Sequence, residues 1–159
     1  MDIKIKCEEG DFKFRVCGII LNNDKVLTVN INHNGFYCLP GGHVHLGEDT
    51  FQAIKREIKE EIGIETKDIS LMAVIENFFL NDKGKTFHEL GYYYIIKPNS
   101  LGDKENDFCL IENDEGELKE LEFKWVNLDN IKEVDFRPEI LKEYLKNRDF
   151  SFKHIVSKD

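Results

Sequence analysis

The chain has 159 residues, 41% of them hydrophobic and 33% charged, with 31 acidic against 22 basic residues and a formal net charge of −9. That length closes one sizeable core and fits the usual domain of roughly 100 to 150 residues, so residues 1–159 read as one domain. The acidic balance works against gripping a polyanion through a broad basic surface, which excludes long nucleic acid as the expected partner.

From the N-terminus, apolar and β-branched residues dominate Phe12 to Leu21 and Lys25 to Ile31, and Asn22-Asn23-Asp24 between them is turn chemistry, so a β-hairpin is expected. Phe36 to Leu39 reads as a short strand stopped by Pro40-Gly41-Gly42, where the chain must turn. From Thr50 to Ile62 the period changes. Phe51, Ile54, Ile58 and Ile62 recur at spacings of three and four, which predicts a helix with those four on its buried stripe. Asp49 is its expected N-cap, with Gln52 completing a capping-box-like pattern, and Gly63 is placed for the C-terminal cap.

Strand patterns return at Ile69 to Leu80 and Thr86 to Ile96, broken by the turn-forming residues 81–85. Residues 99–115 are polar and read as a long loop before a strand at Glu120 to Val126. A last helix is expected from Pro138 to Lys146, and the end of the chain reads as a short strand from Phe150 to Val156 or a tail. Cys7, Cys17, Cys38 and Cys109 show no metal-knuckle or disulfide spacing, so reduced and mostly buried thiols are expected. No apolar run reaches signal-peptide length or the roughly 18 residues of a membrane span, which makes the cytoplasm the expected compartment and a membrane an unexpected partner.

Glu57, Glu60 and Glu61 stand at i, i+3 and i+4 of the predicted helix, so their carboxylates are neighbours. At about 100° per residue Glu57 and Glu61 flank the apolar stripe and Glu60 lies nearer solvent. Like charges at this spacing destabilise a helix unless something positive sits between them, and a hard divalent cation with oxygen ligands fits. Taken alone, such a run with Lys55, Arg56 and Lys59 is also what an ordinary solvated helix face looks like.

The flanking residues change that balance. Gly42, Glu48 and Arg56-Glu57-Ile58-Lys59-Glu60-Glu61-Ile62-Gly63-Ile64 match G-x5-E-x7-R-E-U-x-E-E-x-G-U, with U apolar, at every specified position. The stretch Gly42 to Ile64 therefore resembles the Nudix box of the Nudix hydrolases. The resemblance implies an α/β/α sandwich with a mixed β-sheet and the catalytic helix packed on it. It implies cleavage of a diphosphate linkage in a nucleoside diphosphate derivative or nucleoside triphosphate by water, with Mg²⁺ as cofactor and Mn²⁺ as a substitute. Glu57 and Glu61 would then be the main metal ligands, Glu60 a further ligand or helper of the attacking water, and the Gly41 carbonyl another ligand. Glu48 and Arg56 would support the carboxylates, Arg56 through charge-assisted hydrogen bonds.

Outside the box a further acid is expected as ligand or base; Glu76, Glu89, Glu117, Glu120 and Glu122 qualify by type, with Glu120 ranked first. His43 and His45 alternate on an extended segment and, with His88, suggest either a zinc site or residues bordering the substrate cleft. Phe78-Phe79 and Tyr92-Tyr93-Tyr94 are candidates for stacking a base or, as strand residues, for the core. Lys83 and Lys85 near the aromatic strand ends suit a phosphate beside a base, which favours a small nucleotide partner and, lacking markers of larger substrates, nucleoside triphosphates first. The alternative class is a silent nucleotide sensor of the same fold, and a homodimer is left open.

Overall fold

The computed structural model describes residues 1–81 and 83–158; Asp82, inside the predicted break at 81–85, lies outside the described residues. In chain order the elements are β1 (Lys4–Lys6), β2 (Gly10–Asn22), β3 (Lys25–Ile31), β4 (Gly41–His43), α1 (Thr50–Ile62), β5 (Thr66–Leu80), β6 (Thr86–Pro98), β7 (Phe108–Asp114), β8 (Glu117–Asn127), α2 (Leu141–Lys146) and β9 (Lys153–Lys158). The described strands join one mixed sheet in the order β7-β8-β3-β2-β6-β5-β9, with β1 and β4 also on β2.

β2 organises this sheet. One of its edges runs parallel to β6 from Gly10 to Ile20, while its other edge is shared by β1 at Asp11 to Lys13, by β4 at Arg15 to Cys17 and by β3 only at Leu21 and Asn22. The expected hairpin of β2 and β3 therefore closes over two residue pairs, because the remaining edge of β2 is already occupied. β3 instead pairs along its length with β8, from Lys25 opposite Asn127 to Ile31 opposite Leu121.

Alternation along the strands sends side chains to two faces. Val16 and Ile20 of β2, Tyr94 and Ile96 of β6, and Leu121 and Phe123 of β8 meet Ala53, Ile54, Ile58 and Ile62 of α1 in one core. Cys17, Ile19, Tyr93 and Ile95 point the other way and meet Phe136, Leu141 and Leu145 in a second. The result is the α/β/α sandwich. α1 is built as its sequence predicts: the Asp49 carboxylate accepts the Gln52 N–H at 2.8 Å, and Gly63 caps the end at φ 80°. Phe51 departs from the expected stripe. It is 48% exposed and lies edge-on to Tyr94, and the small, fully buried Ala53 sits against the sheet instead.

Four other expectations are corrected. Phe36 to Leu39 forms no continuous strand, only isolated bridges of Tyr37 to Phe136 and Cys38 to Val29. The expected loop at 99–115 contains a short 3₁₀ turn, Gly102–Glu105, and the whole of β7, which pairs with β8 from Phe108 opposite Phe123 to Asp114 opposite Glu117. Cys7 and Cys109 are exposed rather than buried. The last helix starts three residues later than Pro138, and the final strand is present as β9, parallel to β5.

Ile58 is fully buried, and its Cδ1 stands 3.0 Å from where a Cβ on Gly18 would sit, so helix and sheet are in close contact here. Ile58→Ala should cost about 2 to 5 kcal/mol of stability, from lost burial plus the cavity left behind. Urea unfolding measures it, and a loss below about 1 kcal/mol would contradict this packing.

Candidate functional site

The site begins at two glycines. β4 is squeezed between β2 and α1, and a Cβ on Gly41, whose φ is 156°, would lie 2.0 Å from the Val16 carbonyl oxygen. A Cβ on Gly42 would lie 2.4 Å from Cδ of Glu57. At Gly41 only glycine fits against the backbone, and at Gly42 a side chain would have to displace the Glu57 carboxylate. The Gly41 N–H then donates to Oε2 of Glu61 at 3.1 Å, tying strand to helix.

Arg56 gathers the remaining carboxylates. Its Nε donates to Glu48 Oε1 at 2.8 Å, its Nη1 to Glu57 Oε1 at 2.6 Å and Glu60 Oε2 at 3.3 Å, and its Nη2 to Glu48 Oε2 at 2.9 Å and the His43 carbonyl at 3.1 Å. All five guanidinium N–H groups are thereby engaged. Glu48 also accepts the His45 N–H at 3.0 Å. Hydrogen bonds from Arg56 hold the Glu48 carboxyl down at about 2.

Glu61 is in the opposite condition. Burial, then the charges of Glu112 and Glu57, push its carboxyl up to about 8, and burial likewise raises Glu57 despite Arg56. Glu60 reaches solvent, its side chain 62% exposed. Hard oxygen donors crowded in an acidic, dehydrated corner fit a divalent cation of the Mg²⁺ or Mn²⁺ kind, and Glu57, Glu61, Glu60 and the Gly41 carbonyl are the groups that could hold one. Among the described residues no three His, Cys, Asp or Glu side chains already converge at metal-binding distance. Arg56 engages Glu57, and Gly41 engages Glu61.

The strand that sequence reading missed carries a residue of this site. Glu112 on β7 and Glu61 line one cavity of about 330 Å³, together with Glu60, Gly63, Lys104 and Leu121. Glu112 stands opposite Lys119 and Leu110 opposite Leu121, so Glu112 is on the face of β7–β8 that α1 covers. Glu120 and Glu122 alternate to the other face, where His33 meets them at 3.2 and 3.6 Å. The first-ranked Glu120 thus points away from the helix. Glu76 pairs with His154 at 2.6 Å and Glu89 with Arg15 at 3.6 Å. Glu117 sits beside the Glu115-Gly116 turn, opposite Asp114. Arg15 is a second residue the sequence did not single out: it lowers the carboxyls of both Glu57 and Glu61.

The histidines divide. His43 and His45 lie 3.5 and 3.3 Å from the Asp2 carboxylate, and burial, then Arg15, pushes His43 down to about 4. His88 is elsewhere, stacked on Phe78 at 4.4 Å and edge-on to Phe12. Tyr93 and Tyr94 are buried in opposite cores, Phe79 stacks on Phe87, and Lys85 pairs with Asp11 at 2.8 Å. These aromatic rings and Lys85 are therefore occupied within the fold, while Lys83 is exposed, its backbone N–H donating to the Asn81 side chain at 3.0 Å.

A carboxyl held below its unfolded value contributes stability above the unfolded range of about 4.5 and loses it as pH falls towards 2. The Glu48 carboxyl carbon should therefore titrate near 2 by NMR and move up into the ordinary carboxylate range in Arg56→Met. Unchanged titration in the variant would show that Arg56 is not what holds it.

A NUDIX domain profile matches residues 12–146. An ADP-ribose pyrophosphatase of Methanocaldococcus jannaschii is 32% identical over 135 residues, 82% of this chain and 72% of that protein. An RNA pyrophosphohydrolase of Ruthia magnifica is 29% identical over 144 residues, 81% of this chain and 77% of its own length. Nudix hydrolase 10 of Arabidopsis thaliana is 29% identical over 99 residues, 60% of this chain but 34% of the longer plant protein. Among solved structures, a MutT protein from Bacillus halodurans superposes with a TM-score of 0.59 at 20% identity, covering 92% of this chain and 88% of that one. With the family match running from β2 through α2 and the box complete between Gly42 and Ile64, this chain belongs to the Nudix hydrolases.

Proposed function

We propose that the chain hydrolyses the diphosphate linkage of a small nucleoside diphosphate derivative in a reaction requiring Mg²⁺, with Mn²⁺ able to replace it. The observation that carries this reading is the pair Glu57 and Glu61, one helical turn apart and largely buried. Glu61 is pushed up to about 8, and every donor of the adjacent Arg56 is engaged. A divalent cation bound there would neutralise phosphate charge and acidify a water at the site. Arg56 orients Glu57 and keeps Glu48 ionised, and the Gly41 N–H fixes one oxygen of Glu61. Glu112, which lines the same cavity as Glu61, would accept the proton of the attacking water, taking the ligand-or-base role for which the sequence ranks Glu120 first.

ADP-ribose is the first substrate to test, supported by the relative from Methanocaldococcus jannaschii, with nucleoside triphosphates second. A second reading, removal of diphosphate from an RNA 5′ end, is favoured by the Ruthia magnifica relative. The net charge of −9 weighs against a long polyanion. A catalytically silent sensor would bind the same nucleotides without cutting them.

Release of product from ADP-ribose, nucleoside triphosphates and a 5′-triphosphorylated RNA separates these readings. ADP-ribose or another small nucleotide should turn over with Mg²⁺ and cease to do so in excess chelator, with the RNA at a kcat/KM at least about tenfold lower. Glu57→Gln and Glu61→Gln should each lower kcat by about a thousandfold or more with folding intact. Full turnover in chelator, or an active Glu61→Gln, would overturn the reading; binding without turnover would select the sensor.

A further inference from the structure

A diphosphate brings negative charge into a corner already holding Glu57, Glu60, Glu61 and Glu112, so the basic groups around it are decisive. Most are engaged. Arg56 is bonded through all five N–H groups, Arg15 faces Glu89 at 3.6 Å, Lys59 meets Glu65 at 2.6 Å, and Lys119 meets Asp114 at 2.5 Å. Lys104 is different. Its ion-pair partner, Asp103, lies 4.0 Å away, at the limit of an ion pair, and its ammonium rests 4.6 Å over the Phe108 ring.

Lys104 is also held where a ligand would meet it. Its carbonyl accepts the Trp125 indole N–H at 2.8 Å, and the Trp125 backbone N–H donates to Asp107 at 2.9 Å, so the 3₁₀ turn is fastened to a buried tryptophan of β8. The side chain is only 20% exposed. It lines the 330 Å³ cavity that contains Glu60, Glu61 and Glu112, and also a neighbouring cavity of about 450 Å³ bounded by Ile64, Asn99, Ser100 and Leu101. The two cavities share Ile62, Gly63 and Lys104.

We propose that Lys104 is a phosphate-positioning residue. Its ammonium, at the junction of the two cavities, holds a phosphate of the substrate beside the Glu57–Glu61 carboxylates. The remainder of the molecule extends into the second cavity. The anchor to Trp125 uses the main-chain carbonyl, so the side chain can be changed without removing it. A cation over an aromatic ring in a partly dehydrated cleft exchanges a weak contact for a charge-assisted hydrogen bond when phosphate arrives. This inference rests on the reading of the site as one for a diphosphate.

Methylenediphosphonate, a diphosphate that cannot be hydrolysed, tests it directly by calorimetry in excess Mg²⁺. Lys104→Gln should weaken binding by about tenfold or more and flatten its dependence on ionic strength, while Lys104→Arg stays within about threefold of the wild type. The melting temperature should be unchanged in both. Equal affinity of Lys104→Gln and wild type would overturn the proposal. So would failure of the wild type to bind the probe, or equal weakening in both variants with a lowered melting temperature. A wild type that binds the probe, loses it in Lys104→Gln and yet cleaves no nucleotide would remove the hydrolase reading alone.

Discussion

The close passage of Gly41 and Gly42 between β2 and α1 is the constraint on which the rest of the site depends. On one side the backbone lies against the Val16 carbonyl, and on the other the Glu57 carboxylate occupies the space a Cβ would fill. This approach places the Gly41 N–H on Glu61 and the His43 carbonyl on Arg56. It also gives β4 a stretch of the β2 edge, which turns β3 away to pair with β8. The same contact that builds the carboxylate corner therefore shapes the sheet, and β8 brings β7 and Glu112 with it.

Much of this was legible in the sequence where the signal is local. α1 has a period, an N-cap and a C-terminal glycine within the fifteen residues from Asp49 to Gly63, and each resides in the chain segment it describes. The box works in the same way, since its spacing encodes which carboxylates share a helical turn. Phe51 was misassigned because periodicity records which side of a helix a residue is on, whereas burial also depends on how far the sheet extends beneath it. The Ala53 methyl fits where the sheet is close, and the larger ring is left at the margin.

β7 was not legible, and the reason is physical. Residues 108–114 alternate weakly and carry Glu112, Asn113 and Asp114 at the end of an edge strand, where solvent satisfies one side and polar residues cost little. With the strand unrecognised, its pairing register was unknown, and register alone decides that Glu112 rather than Glu120 faces α1. The hairpin of β2 and β3 forms but is cut short for a related reason. Turn chemistry at Asn22 to Asp24 correctly predicts a reversal but says nothing of what competes for the edge beyond it.

The electrostatics of the corner follow from the same geometry. Two acids of similar intrinsic strength are driven apart: Glu48 down to about 2 by Arg56, Glu61 up to about 8 by burial and by the acids around it. Separation of this kind assigns different work to chemically identical groups. Glu48 is a fixed anion that keeps Arg56 in place. Glu61 gains most when positive charge arrives, because it is held by a single backbone N–H and faces two other carboxylates. Arg56 cannot supply that charge, since its donors are saturated by the framework that orients Glu57. The guanidinium is therefore structural support for the carboxylates, and affinity for an anionic ligand would have to come from positive charge other than Arg56.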